Sequence, residues 1–99
     1  MNADLVALFK ALADANRLKI IGLLARQPYS GEELAAMLDI KPSTVSHHLA
    51  RLVSVGLVSA RAEGYYNMYH LEESTVEGAR RLFSQADLLN IADGILVDA

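Results

Sequence analysis

The chain has 99 residues, 53% of them apolar, and a formal net charge of −3. This length suits one domain with a core of its own, which we place over residues 1–99, although so small a domain would gain from a partner. The chain has no cysteine, which excludes disulfides and thiolate metal sites, no signal peptide, and no apolar run near the ~20 residues that cross a bilayer. We therefore expect a cytoplasmic protein without membrane contacts.

Two helices are predicted in the first quarter of the chain. The first, over roughly 3–13, has an apolar stripe at helical spacing: Leu5, Leu8, Phe9 and Leu12. The segment 14–16 then supplies a break and candidate N-caps. The second helix, over about 16–26, ends before Pro28, because proline disfavours helix at the residue before it. Its predicted inward stripe has Ile20 beside it and consists of Leu18, Ile21, Gly22, Leu24 and Ala25.

Two further helices follow, separated by a short turn. Ser30 and Glu33 form a capping-box pattern that predicts a helix over roughly 31–38. Its inward residues are predicted to be Leu34, Ala35 and Leu38. After the turn at 39–42, Ser43 is the predicted cap of a helix over roughly 43–55, and Gly56 ends it.

The remaining chain predicts a hairpin and a last helix. Apolar and polar residues alternate over 57–71, and the alternation is interrupted near 63–66 around Gly64, as in a β-hairpin. A helical region starts near Glu72, with Gly94 weakening the pattern toward its end. One face of this region is apolar: Leu82, Ala86, Leu89, Ala92 and Leu96. The predicted order is α-α-α-α-β-β-α, a mainly α protein with a hairpin (α+β).

The helices over 31–38 and 43–55 form a candidate helix-turn-helix, and the hairpin after them is a wing. At about 100° per residue, one side of the second helix is apolar, with Val53 at its border: Val45, Leu49 and Leu52. The opposite side and its margins are small, polar or basic: Ser43, Thr44, Ser46, His47, Ala50, Arg51 and Ser54. Because no acid occurs between 40 and 62, this side is suited to phosphates and base edges rather than to solvent alone.

Charge is unevenly distributed in a way that supports the same interpretation. Residues 41–70 carry Lys41, Arg51 and Arg61 against Glu63 alone, whereas residues 71–99 carry two arginines and six acids. We predict double-stranded DNA as the partner, with Lys41 among the contacts, Arg61 as the main phosphate contact from the wing and Tyr65 as the weaker one. Alternation also predicts that Tyr65, Tyr66 or Met68 covers the core. The alternatives are a winged-helix module that binds only protein and the DNA-binding domain of a longer regulator.

Three stretches, "LFKALADANRLKIIGLL", "STVSHHLARLVSVGLV" and the glycine-containing wing after them, resemble the ArsR/SmtB family of bacterial transcriptional repressors over roughly residues 4–72. The resemblance implies a homodimeric winged helix-turn-helix repressor whose recognition helix enters the major groove and whose hold on DNA is weakened by an effector. It places the DNA-reading residues at Ser43, Thr44, Ser46, His47 and Arg51. Many members have arginine or glutamine where His47 stands, which makes His47 the sequence-choosing position.

The chain departs from the family at its metal sites. The helix that holds a cysteine box in many members reads "YSGEELAAML" here, and the region after 72 has carboxylates but no histidine. His47 and His48 point about 100° apart on a helix and cannot chelate one ion together. We therefore predict no metal site, no cofactor and no catalytic residue, and the residues identify no effector.

The remaining histidines are assigned structural roles. His48, the position that the family fills with histidine before leucine, is predicted to be partly buried, with one ring nitrogen bonded to a backbone or side-chain group. A phosphate contact is its alternative. His70 ends the second wing strand and is also predicted to be structural.

Dimerisation is predicted from apolar side chains that a three-helix DNA-binding core does not need. Leu82, Leu89 and Leu96 are seven residues apart, as in a seam between two helices, although packing within one chain is the alternative. The first helix adds Leu5, Leu8 and Phe9. Two recognition helices about one DNA turn apart would then read an inverted repeat.

Overall fold

The computed structural model of the protein describes residues 2–85 and 88–90, with the side chains of residues 2–4 outside that description. Its elements in chain order are α1 (Asn2–Leu12), α2 (Ala15–Leu24), β1 (Tyr29–Ser30), α3 (Gly31–Leu38), α4 (Pro42–Ser54), β2 (Val58–Glu63), β3 (Tyr66–Leu71) and α5 (Glu73–Arg81). The predicted order is confirmed except for β1, a two-residue strand too short to produce an alternation in the sequence.

The sheet has three antiparallel strands in the order β1-β3-β2. Strand β1 pairs Tyr29 with Tyr69, which joins the start of α3 to the wing. The β2–β3 turn consists of Gly64 and Tyr65, with Glu63 opposite Tyr66. Gly64 has φ +66, and a two-residue hairpin needs positive φ at this first position, which glycine adopts without strain.

The core lies between the helices and the base of the sheet. Its buried residues come from α1, α2, α3, α4 and the start of β2: Leu8, Ala11, Ile20, Leu24, Leu34, Ala35, Val45, Leu49, Leu52, Leu57 and Val58. The stripe predicted for α2 is wrong in part, since Leu18 is 54% exposed whereas Ile20 and Leu24 are buried. Apolar residues occur on several sides of α2, so its periodicity did not identify the inward side.

The ends of α3 and α4 are held by specific hydrogen bonds. The Ser30–Glu33 capping box is present in both directions, and α3 has the predicted bounds. The predicted Ser43 cap is wrong: α4 begins one residue earlier with Pro42 at its first turn, where no N–H is needed, and Lys41 is the N-cap. At the other end Gly56 has φ +78 and the N–H of Leu57 donates to the carbonyl of Leu52, as in a Schellman motif.

The last helix is shorter than predicted. Helix α5 contains no buried residue and ends at Arg81, and residues 82–84 form a turn before helical backbone resumes at Gln85 and at 88–90. Leu82 and Leu89 therefore do not share one continuous helix, and the predicted seven-residue seam is wrong as a straight helical face. Ala86, Ala92 and Leu96 lie outside the described residues.

Candidate nucleic-acid interface

The helix-turn-helix is formed by α3, α4 and the tight turn between them. Asp39 ends α3 in the left-handed region at φ 54, a conformation that aspartate tolerates better than most residues. The N–H of Ile40 then donates to the carbonyl of Ala35 at 3.2 Å. On α4 the buried residues are the predicted Val45, Leu49 and Leu52, none more than 2% exposed. Packing of this side fixes the opposite side of α4 toward solvent.

The solvent side of α4 carries most of the predicted DNA contacts. Ser43, Ser46, His47 and Arg51 are exposed, and Thr44 is half-buried. The side chains of His47 and Arg51 form no ion pair with any residue that the structure describes, and the same holds for the exposed Lys41. These basic and hydroxyl groups are therefore not committed to contacts within the described part of the chain.

The wing places its predicted contacts on different sides. Tyr65 is fully exposed at the tip, and it lines a cleft of about 240 Å³ between the wing and the N-terminal ends of α3 and α4. Ser46 lines the same cleft, as do Tyr66, Asn67 and an acid that the sequence reading missed, Glu32. This cleft joins Tyr65 to the solvent side of α4.

Arg61 lies away from this cleft. It is paired with Met68, so its side chain is on the opposite face of the ribbon from the neighbouring Asn67 and Tyr69. It lines a hollow of about 510 Å³ with residues that include His70, and its guanidinium is 3.8 Å from the Glu72 carboxylate. The register therefore separates Arg61 from the other predicted wing contact.

The prediction that a wing-tip residue covers the core is wrong. Tyr66 is 56% exposed, Tyr65 is fully exposed and Met68 is only half-buried. Tyr29 and Tyr69, which face each other across β1 and β3, pack against the core instead. Strand β1, which the sequence did not predict, accounts for the error. Because β1 pairs with β3 at Tyr69, the tyrosines that pack against the core lie nearer the base of the wing than its tip.

The histidines separate as predicted. His47 is exposed, whereas the His48 side chain is 13% exposed with Nδ1 3.3 Å from a guanidinium nitrogen of Arg17. Asp14 lies beside this pair, with Oδ1 4.0 Å from Nε2 of His48. His70 has a partner that the sequence reading missed, since its Nε2 is 2.9 Å from the Glu63 carboxylate.

Asp14 is the N-cap of α2. Its carboxylate accepts the backbone N–H of Arg17 at 3.0 Å, and this hydrogen bond is the main cause that lowers the pKa of Asp14 from its usual value. Desolvation of the carboxylate opposes this shift, and the proximity of His48 and Arg17 lowers the pKa further by smaller amounts. The break at 14–16 indicated a cap, but no pattern in the sequence indicated the position of the Arg17 side chain.

A separate apolar groove of about 520 Å³ lies between α1 and the segment after α5. Its lining is apolar apart from Lys10: Leu5, Val6, Phe9, Lys10, Ala13, Leu82, Phe83 and Leu88. The rings of Phe9 and Phe83 meet edge to face with centroids 6.1 Å apart. Leu8, predicted to face a partner, is buried in the core of its own chain and does not line the groove. Leu89 is 61% exposed outside the groove, and the predicted partner residue Leu96 is not among the described residues.

Within residues 2–85 and 88–90, no group of three or more histidine, cysteine, aspartate or glutamate side chains is arranged to hold a metal ion. The helices in the same part of the chain are too short or too polar to cross a membrane.

Comparison with known proteins gives consistent matches. Residues 14–60 match the model of the bacterial regulatory protein arsR family. The transcriptional activator HlyU of Vibrio cholerae is 36% identical over 90 residues, which cover 87% of this chain and 83% of HlyU. The transcriptional repressor SmtB homolog of Synechocystis is 41% identical over 69% of this chain, although the match spans only 52% of that protein.

Solved structures agree with the sequence matches. An ArsR-like transcriptional regulator from Rhodococcus is 28% identical with a TM-score of 0.78, covering 97% of this chain and 89% of that one. The homodimeric winged helix-turn-helix DNA-binding domain of a possible ArsR-family regulator from Mycobacterium bovis is 35% identical with a TM-score of 0.71. That match covers 92% of this chain and 80% of the other.

Proposed function

The chain belongs to the ArsR family of bacterial regulatory proteins, and from this premise we propose that it represses transcription by binding an inverted-repeat operator as a homodimer. In this proposal α4 enters the major groove, and the β2–β3 wing contacts the DNA backbone. The protein acts in the cytoplasm, without catalytic activity and without a bound cofactor. The family relationship supports a DNA-binding regulator; the operator, the residues and the direction of regulation are our proposal.

The observation that carries the proposal is the solvent side of α4. Its predicted contacts combine small hydroxyl side chains near the helix start with His47 and Arg51, and no acid interrupts residues 40–62. Small side chains allow the helix to approach the DNA closely, and the free N–H groups of its first turn favour a phosphate. Arginine can donate two hydrogen bonds to guanine or to a phosphate. Serine and histidine add contacts to base edges or to the backbone.

The wing contributes chiefly through its tip. Tyr65 is fully exposed and lines the cleft that also contains Ser46, so a DNA backbone seated on α4 would pass beside it. Arg61, on the other face of the ribbon, is 60% exposed and reaches a phosphate only if its weak contact with Glu72 gives way. We therefore propose Tyr65 as the main wing contact and Arg61 as a secondary one.

A second copy of the chain is the proposed occupant of the apolar groove. Exposed apolar side chains on both of its walls, such as Val6 and Phe83, would leave water when two copies meet. The homodimeric state of the Mycobacterium bovis domain supports this assignment. Dimerisation would place two α4 helices roughly 34 Å apart, the spacing of half-sites on one side of the duplex.

A protein-only interaction module is the competing function. Such a module would expose apolar or mixed-charge residues where α4 presents Ser46, His47 and Arg51, and these three exposed residues are polar or basic. The chain spans 55% of the HTH-type regulator KmtR and 52% of the SmtB homolog. The proposal therefore applies equally to a DNA-binding domain within a longer regulator.

The proposal is tested by the salt dependence of DNA binding. Duplexes are selected from a random-sequence library with the wild-type protein, and affinity for the selected duplex is measured as salt is raised. We expect a preference for an inverted repeat and a steep loss of affinity with salt. Arg51→Ala is expected to weaken binding by about 1–3 kcal/mol, whereas the matched control Arg81→Ala, an exposed arginine at the end of α5, should bind as wild type does. Absence of both sequence preference and salt dependence would reject the DNA-binding function.

His47→Ala tests the assignment of sequence choice. Because His47 is exposed and its side chain forms no ion pair in the described part of the chain, its removal should leave the melting temperature unchanged. Selection from the same library should then recover a different preferred base at one position of each half-site. Recovery of the wild-type sequence with unchanged affinity would assign the choice to other residues.

The direction of regulation is tested in cells, because the relatives include a protein named an activator and one named a repressor. A reporter placed behind the selected operator should be expressed more strongly when the protein is absent. Lower expression in its absence would make the protein an activator.

A further inference from the structure

Arg17, in the first turn of α2, connects two elements that have different roles in the proposed function. Its Nε donates to the carbonyl of Ala11, and its Nη2 donates to the carbonyl of Lys10 at 3.3 Å. Both carbonyls belong to the last turn of α1, where helical carbonyls lack partners within the helix. The remaining guanidinium nitrogen, Nη1, lies 3.3 Å from Nδ1 of His48 on α4. One side chain thus joins the end of α1 to the DNA-facing helix.

The direction of these hydrogen bonds determines the form of His48. A guanidinium group can only donate, so Nδ1 of His48 must accept, and in the neutral ring the proton is then on Nε2. Nε2 faces Asp14, whose Oδ1 is 4.0 Å away and accepts the backbone N–H of Arg17. The imidazole therefore lies between Arg17, which donates a hydrogen bond to Nδ1, and Asp14, whose carboxylate is beyond hydrogen-bond distance of Nε2.

Fixing His48 constrains the rotation of α4 about its own axis. His48 follows His47 directly and is three residues before Arg51, so a small rotation at this ring would redirect both proposed DNA contacts. The apolar anchors Leu49 and Leu52 hold α4 against the core, but apolar packing is not directional. The planar fork of arginine adds a defined geometry that lysine cannot reproduce.

Resting on the proposed function, we infer that Arg17 is a positioning residue for DNA reading: through His48 it sets the orientation of α4 and ties it to the end of α1. Arg17 itself need not contact DNA. Lys10 extends the link, since the carbonyl that Arg17 binds belongs to a residue whose side chain lines the apolar groove. The dimer-forming helix and the DNA-reading helix thereby share one polar junction.

The first test is a double-mutant cycle on DNA affinity, with the duplex that the wild-type protein selects from a random library as the probe. Arg17→Ala is expected to lower affinity about tenfold in a folded dimer measured well below its melting temperature. His48→Ala should have a similar effect, and the double variant should be little worse than either, because both changes break one link. Lys19→Ala, which removes a positive charge from an exposed position of the same helix, is the control and should bind as wild type does.

Conservative variants keep the test valid if an alanine variant does not fold. His48→Asn places an amide oxygen near the position of Nδ1 and should retain most of the affinity, whereas Arg17→Lys keeps the charge without the fork and should lose affinity. Nitrogen NMR of the imidazole reports the tautomer of His48, which a change in stability alone would not alter. His48 should be the Nε2–H tautomer in wild type, and this preference should weaken in Arg17→Lys.

Three results would overturn the inference. They are wild-type affinity in both Arg17 variants, additive effects of Arg17→Ala and His48→Ala, and a salt slope reduced by about one unit in Arg17→Ala, which would make Arg17 a direct phosphate contact. A wild-type protein that selects no sequence would instead reject the proposed function, so the two failures are distinguishable.

Discussion

The helix-turn-helix and the segment from α5 onward differ in how far their side chains are buried within the chain. Helix α4 buries Val45, Leu49 and Leu52 within its own chain and is closed by hydrogen bonds at its C-terminal end. Helix α5 buries no residue, ends at Arg81 and is followed by an exposed Phe83. Among the described residues, the apolar side of α4 is covered within the chain, whereas the segment after α5 has exposed apolar side chains.

This difference explains where local sequence signals determine structure. A cap, a proline or a glycine fixes the end of a helix when packing already requires a helix there, as Ser30 and Gly56 do. Where few side chains are buried, regular apolar spacing alone does not keep a helix continuous. Leu82 therefore does not share one continuous helical face with Leu89, since residues 82–84 form a turn.

The largest change in stability is expected for a buried residue of α4. Leu52→Ala should lower the free energy of unfolding by about 2–5 kcal/mol, because Leu52 is fully buried and the cavity cannot close completely. Leu18→Ala, a matched change at a side chain that is 54% exposed, should stay within about 0.5 kcal/mol. Urea unfolding of both variants at one protein concentration measures the difference. Equal losses would mean that Leu18 is covered in the protein in solution, most simply by a partner.

Most of the fold was predictable because each element of the helix-turn-helix carries a local signal with a physical cause. The capping box gave α3 its bounds, and the pattern of Val45, Leu49 and Leu52 gave the buried side of α4. Strand β1 was not predictable, since its two residues pair with β3 and are defined by a long-range contact. The inward side of α2 was missed for a related reason: tertiary packing selected Ile20 and Leu24 among several apolar candidates.

The candidate site was predictable on α4 and less so elsewhere. A helical wheel suffices to separate His47 from His48, because both lie on one regular element. It cannot find Arg17, which reaches His48 from a position 31 residues earlier in the sequence. It also cannot place Arg61 on the far face of the wing, which depends on the strand register.

A charge placed in the apolar groove tests whether a second copy of the chain covers the apolar side chains after α5. Phe83→Asp places a carboxylate in a groove whose lining is apolar apart from Lys10, and burying this charge in a dimer costs free energy. We expect dimer dissociation to become about thirtyfold easier, about 2 kcal/mol, while the helix content measured by circular dichroism is retained. Sedimentation velocity over a range of concentrations measures the change.

Tyr65→Asp is the control for that experiment. It adds the same charge at a fully exposed aromatic residue on the wing, outside the groove, and should leave the dimer intact. If Phe83→Asp sediments as wild type does, the groove is not the dimer surface, and the contrast between the two regions would need another explanation.

The smallest expected effect is at Asp14, the N-cap of α2, which lies beside His48 of α4. Its pKa is lowered in the folded protein, chiefly by the hydrogen bond from the backbone N–H of Arg17. Its charged form therefore adds stability that is fully present above the unfolded pKa of about 3.9 and is lost as pH falls through the lower folded value.

Asp14→Asn keeps a good N-cap but removes the titration. The melting temperature of wild type should exceed that of the variant by a small, constant margin above about pH 5, and the margin should shrink below about pH 4 and vanish below the folded pKa. A margin that persists at low pH would show that the carboxylate acts through its shape as a cap and not through its charge. The contact between Arg17 and His48 would then form without a contribution from the charge of Asp14.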